Sequence, residues 1–118
     1  MQVRNLERDA EPFTTADGST IREILNVQHP PTARQSLAEA SLPAGGATER
    51  HYHRDAEEIY FVLTGTARME LAGEEREVGP GDAILIPPGA WHQITALQDL
   101  RFLCCCAPPY RHEDTYFA

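Results

Sequence analysis

Two histidines and a carboxylate lie within eight residues of one another, in the stretch GGATERHYHRDAEEIYFVLTG from Gly45 to Gly65. His51 and His53 are two apart, and residues two apart on a strand point to the same face. Their imidazoles can therefore converge on one small object. A charged turn, Arg54–Asp55–Ala56–Glu57, follows. It lets the chain reverse and brings Glu58 back to the same face from the next strand. Two neutral ring nitrogens and one ionised oxygen, all aimed inward from a strand pair, are what a divalent metal ion needs.

The elements that must position these groups are strands. Phe13–Thr14–Thr15, a turn at Asp17–Gly18 and the run Ser19 to Leu25 read as a hairpin. His29–Pro30–Pro31 breaks regular structure, and Arg34 to Leu42 reads as a strand. Glu58 to Leu63 is apolar at both parities after its first residue, so both faces are expected to be buried, the outer one under another sheet or another subunit. Arg68–Leu71 and Arg76–Val78 form a hairpin around Gly73; Ala83–Ile86, the run from Trp91 and the run Leu100–Cys106 are further strands. Residues 1–12 carry no clear period and read as an arm or an edge strand. No stretch supports a long amphipathic helix. Many short strands with frequent turn signals describe an all-β sandwich or barrel.

Composition narrows the function. Eighteen acidic against ten basic residues give a formal charge of −8, which argues against nucleic acid and anionic membrane surfaces as partners. No apolar run follows Met1 and none approaches membrane-spanning length. Cys104, Cys105 and Cys106 are consecutive. Strand neighbours point to opposite faces and cannot form an unstrained bridge, so this unpaired set fits a reducing cytoplasm. Phe102, Cys104 and Cys106 share one face of their strand and read as small packed hydrophobes.

The spacing of the glycines, histidines and glutamate resembles the cupin superfamily, in particular its small single-domain members. The first cupin motif is matched by Gly45, five residues, His51–Tyr52–His53, four residues, Glu58, six residues and Gly65. Glu57 would fit a shorter gap but misplaces Gly65 and has the opposite parity, so Glu58 is the chosen residue. The second motif is matched by Gly81, five residues, Pro87–Pro88–Gly89, two residues and His92, with Ala96 where the family often has asparagine. The resemblance implies a double-stranded β-helix, the jelly-roll barrel, over residues 1–118 as one domain. Its barrel core spans about 34–107, with an N-terminal arm or hairpin at 1–28 and a tail at 108–118. It also implies one divalent transition metal ion held by His51, His53, Glu58 and His92.

This donor set leaves iron, manganese, zinc, nickel and copper open. It favours a ligand with a carboxylate, enolate or diol. One expected function is a metal-dependent enzyme, dioxygenase, lyase or isomerase, acting on a small polar organic acid or sugar derivative. Glu58 is the candidate base, and the sequence shows no second acid–base pair, which favours the dioxygenase-like reading. The other is a metal-dependent binding barrel without turnover. Tyr60 shares parity with Glu58 and either lines the pocket or packs in the core. Trp91, of opposite parity to His92, is expected on the outer face. The doubly apolar run predicts a homodimer packed sheet to sheet.

Overall fold

The computed structural model describes residues 1–15, 17–28 and 31–118; the break expected at His29–Pro30 lies outside the described residues. The chain opens with a four-residue helix, α1 (Leu6–Asp9), and not with the arm or edge strand expected there. The Asn5 side chain explains it. Its Oδ1 accepts the otherwise unpaired amide protons of Glu7 and Arg8, each at 3.0 Å, which is N-capping.

Among the described residues eleven strands follow: β1 (Phe13–Thr14), β2 (Thr20–Leu25), β3 (Ser36–Leu42), β4 (His51–His53), β5 (Glu57–Thr64), β6 (Ala67–Leu71), β7 (Glu74–Val78), β8 (Ala83–Ile86), β9 (His92–Ala96), β10 (Leu100–Ala107) and β11 (Thr115–Phe117). They form two antiparallel sheets, ordered β1-β2-β3-β10-β5-β8 and β11-β4-β9-β6-β7. From β3 to β6, and again from β7 to β11, each connection crosses from one sheet to the other. That alternation is the jelly-roll barrel expected from the sequence. The hairpins β1–β2 and β6–β7 also lie where they were expected.

One expectation about the first motif is corrected. The 54–56 turn does not fold β4 and β5 into a strand pair. It carries the chain across the barrel, so β4 pairs with β9 and β11 while β5 pairs with β10 and β8. Glu58 therefore faces the histidines from the opposite wall. Parity is the same in both arrangements, so the sequence pattern does not separate them.

The interior has two ends. One is apolar: Val62, Ile86, Ile94, Leu100 and Phe102 are fully buried, each contributing about 1.5–3 kcal/mol of burial. The other holds the histidines and Glu58. Gly65 closes the end of β5, where φ is +86° and a Cβ would lie 2.2 Å from the Asp99 carbonyl oxygen. Only glycine fits that approach. On the outer face of the six-stranded sheet, Ile59, Phe61 and Leu85 are 40, 39 and 55% exposed. The other sheet does not cover that face, contrary to one of the two ways in which it was expected to be buried. A 3₁₀ turn (His112–Asp114) precedes β11, so the last residues include a strand and are not simply a polar tail. Among the described residues, no helix is long and apolar enough to cross a membrane.

Candidate metal centre

The five-stranded sheet supplies three histidines. His51 and His53 alternate inward on β4, and His92 at the start of β9 is the direct cross-strand partner of His51. All three are at least 96% buried. The His51 and His92 ring centres are 4.2 Å apart. One ring nitrogen from each of the three lies within 4.8 Å of the others.

Backbone contacts fix which nitrogen faces inward. Nδ1 of His51 is 2.7 Å from the Glu49 carbonyl oxygen, Nδ1 of His53 is 3.2 Å from that of Asp114, and Nδ1 of His92 is 3.0 Å from that of Ala90. A carbonyl oxygen only accepts, so each Nδ1 carries the proton and donates it. In the neutral rings, every Nε2 is then a bare lone pair. This outward donation is how metal-binding imidazoles are held.

Glu58 approaches from β5. Its Oε1 is 3.3 Å from Nε2 of His53 and 3.6 Å from Nε2 of His92, yet Oε1 and the His92 Nε2 make no hydrogen bond. Lone pairs face one another in a buried space, an arrangement that is repulsive until a positive charge enters it. Each unpaired buried atom costs about 1–3 kcal/mol. Without an ion, protons on the rings meet the same demand. Burial alone would raise the Glu58 carboxyl, but His53 and His92 hold it down to about 2. Burial disfavours charge on His53 too, but Glu58 outweighs it and raises that ring. His51, without that partner, is lowered by burial and by the two neighbouring rings. The donor set, its tautomers and its orphaned atoms fit a bound divalent ion.

Side chains to which the sequence assigned no part in the site hold these groups. The other oxygen of Glu58, Oε2, accepts from the Cys106 thiol at 3.2 Å; burial and the adjacent carboxylate push that thiol up. The Asp114 carboxylate accepts the backbone protons of Arg54, Asp55 and Ala56 at 3.0–3.1 Å. It thus fixes the crossing between the two halves of the first motif, while its carbonyl orients His53. Neither role has a local signature, because Asp114 lies 61 residues from His53.

His51, His53 and Glu58 form part of the wall of a cavity that also meets Tyr60, Cys104 and Tyr110. Tyr60 is 3% exposed, with its ring centre 5.9 Å from that of His92, so it both lines the pocket and packs in the core, against Phe102 at 4.7 Å. Trp91 lies outside, edge-on to Tyr52 at 4.6 Å with Arg50 above its ring. Glu57 is exposed and points away from Glu58. Ala96 is buried in apolar surroundings.

A sequence model described as the cupin domain matches residues 38–106. The chain is 45% identical over 118 residues to an uncharacterized protein of Methanocaldococcus jannaschii, covering 98% of this chain and 94% of that one. It is 43% identical over 65 residues to the dimethylsulfoniopropionate lyase of Ruegeria pomeroyi, a match of 52% of this chain and only 32% of the lyase. A crystal structure of a protein from Planctomyces limnophilus superposes with a TM-score of 0.84 at 26% identity, over 99% of this chain and 96% of the other. Motif spacing, crossing topology and histidine cluster thus agree with the comparisons, and the chain belongs to the cupin domain family.

Proposed function

We propose that this cupin is a metal-dependent enzyme of the lyase type, acting on a small polar organic acid. His51, His53, His92 and Glu58 would together hold one divalent ion of iron, manganese, zinc, nickel or copper. The observation that carries the reading is the convergence of ring nitrogens from His51, His53 and His92 beside an orphaned Glu58 carboxylate oxygen, with His51, His53 and Glu58 at the wall of a cavity. A bound ion supplies positive charge that anchors and polarises a carboxylate or carbonyl.

The chain's own groups supply the rest. Ile21, Ala40 and Phe102 give the cavity apolar walls that exclude water. Burial, reinforced by the charge of Glu58, keeps the Tyr60 phenol protonated, and burial does the same for Tyr110. Both rings meet the cavity, so both are hydrogen-bond donors positioned for a substrate oxygen or a leaving group. Phenols raised in this way hold a substrate oxyanion by hydrogen bonding and give up no proton near neutral pH, and that pair of donors favours the lyase reading. Glu58, the candidate base, is a poor proton acceptor with its carboxyl at about 2; its part in this reading is that of a ligand. The relative named as a lyase supports the class.

The test begins with elemental analysis of protein purified without added ions, then follows formation of unsaturated product from β-substituted carboxylic acids. Metal-dependent product with no oxygen uptake is expected. Stoichiometric oxygen consumption would instead establish the dioxygenase reading. A ligand that raises the melting temperature only with metal present, without turnover, would establish the binding barrel. The exposed Ile59, Phe61 and Leu85 support a homodimer packed through the six-stranded sheet, which light scattering at micromolar concentration tests.

A further inference from the structure

Ser36, Cys106 and Glu58 form one row across three neighbouring strands. Cys106 of β10 is the register partner of Ser36 on β3 and of Glu58 on β5. Directly opposed residues point to the same face, and all three side chains line the cavity. They are 7, 3 and 4% exposed. At one end of the row, Ser36 Oγ accepts the Tyr110 amide proton at 2.9 Å. At the other, the Cys106 thiol donates to Glu58 Oε2 at 3.2 Å. An ionised carboxylate only accepts, so the proton in this contact belongs to sulfur. The other carboxylate oxygen, Oε1, is left toward His53 and His92 without a hydrogen bond.

A side chain that merely filled space would not divide the carboxylate in this way. Cys104 makes the contrast: it shares the cavity face with Cys106 but stands two rungs along the ladder between Tyr60 and Ala38, with no carboxylate opposite it. Cys105, on the other face, pairs with Ile59. Only the third cysteine of the run meets Glu58.

We propose that Cys106 is a positioning residue for the metal centre: its thiol ties down Oε2 so that Glu58 offers a single oxygen, Oε1, to the ion. The proposal rests on the metal reading given above. One consequence is that the carboxylate cannot swing to clasp the ion through both oxygens, which keeps coordination positions free for substrate. Ser36, itself held by the Tyr110 amide, backs the thiol from behind, so the carboxylate is restrained through a row of side chains that is anchored on the main chain only at its far end.

Co2+ is the probe, because its visible absorption reports coordination number. Binding is measured for the full chain as wild type, Cys106→Ala and Cys106→Ser. Removing an outer hydrogen-bond partner of a metal ligand typically costs about 10–100-fold in affinity. Cys106→Ala is therefore expected to weaken Co2+ binding at least about tenfold and to change the absorption spectrum. Cys106→Ser, which restores a donor, is expected to recover most of the affinity and the wild-type spectrum. Should the alanine variant not fold, Cys106→Val supplies an apolar side chain of similar volume without a donor. Wild-type affinity and spectrum in both Ala (or Val) and Ser variants would overturn the proposal while leaving the metal centre standing. A wild-type protein that binds no Co2+, with His92→Ala indistinguishable from it, would overturn the metal reading itself and this proposal with it.

Discussion

The histidines and Glu58 meet from opposite sheets, and they are held by different means. On the five-stranded sheet, each ring is oriented by a main-chain carbonyl, from Glu49, Asp114 or Ala90. On the six-stranded sheet, Glu58 is oriented by the side chain of Cys106. A carbonyl cannot be removed by substitution, so the histidine wall is as fixed as the fold. A thiol can be exchanged in one step, so the carboxylate wall is where the properties of the centre are adjustable.

The largest expected effect comes from breaking the histidine wall directly. His92→Ala removes a fully buried donor and should reduce metal content in elemental analysis to background. Equal content in the variant and wild type would dispose of the site. The next effect tests whether main-chain orientation is independent of side chains. Asp114→Ala leaves three turn amides without their acceptor and should destabilise the fold by about 2–3 kcal/mol in urea unfolding. It should also weaken metal binding through His53. Stability within about 0.5 kcal/mol of wild type would show that the crossing does not depend on Asp114.

A smaller effect isolates the carboxylate wall in the metal-free protein. The Glu58 carboxyl sits at about 2 when folded and near 4.5 when unfolded. Its contribution is complete above about pH 4.5 and is lost as pH falls toward 2. The thermal midpoint of wild type should therefore drop more steeply across that window than the midpoint of Glu58→Gln; parallel curves would contradict it. The smallest effect on the centre is expected from the outer face. Phe61→Glu should separate the proposed dimer in light scattering while leaving metal content unchanged. A monomeric wild type removes the premise.

Much of the fold was legible in the sequence because it is written locally. Alternating parity and glycine-bearing turns located nine of the eleven strands in full or in part, and Glu58 was separable from Glu57 because the two side chains point opposite ways. The short β4 was legible from its histidine pair. What escaped depends on register between distant segments. Cys106 was legible as a packed residue sharing a face with Phe102 and Cys104 but not as the neighbour of Glu58, because parity gives the shared face and not the rung. Asp114 and β11 were read only as a terminus, since three residues, Thr115–Tyr116–Phe117, are too few for a period. The helix at Leu6–Asp9 escaped for the same reason: one turn held by an Asn5 cap carries no amphipathic pattern.

The pairing of β11 with β4 has a kinetic consequence. Phe117, Tyr116 and Thr115 lie opposite His51, Tyr52 and His53, and Asp114 holds both the 54–56 turn and the His53 ring. Opening of this one short segment would release all of these together. The edge strand of a sheet opens far more often than the whole barrel unfolds. The lifetime of order at the centre is then set by a local event, and slow amide hydrogen exchange at Asp55 and Ala56 is the clock that would read it.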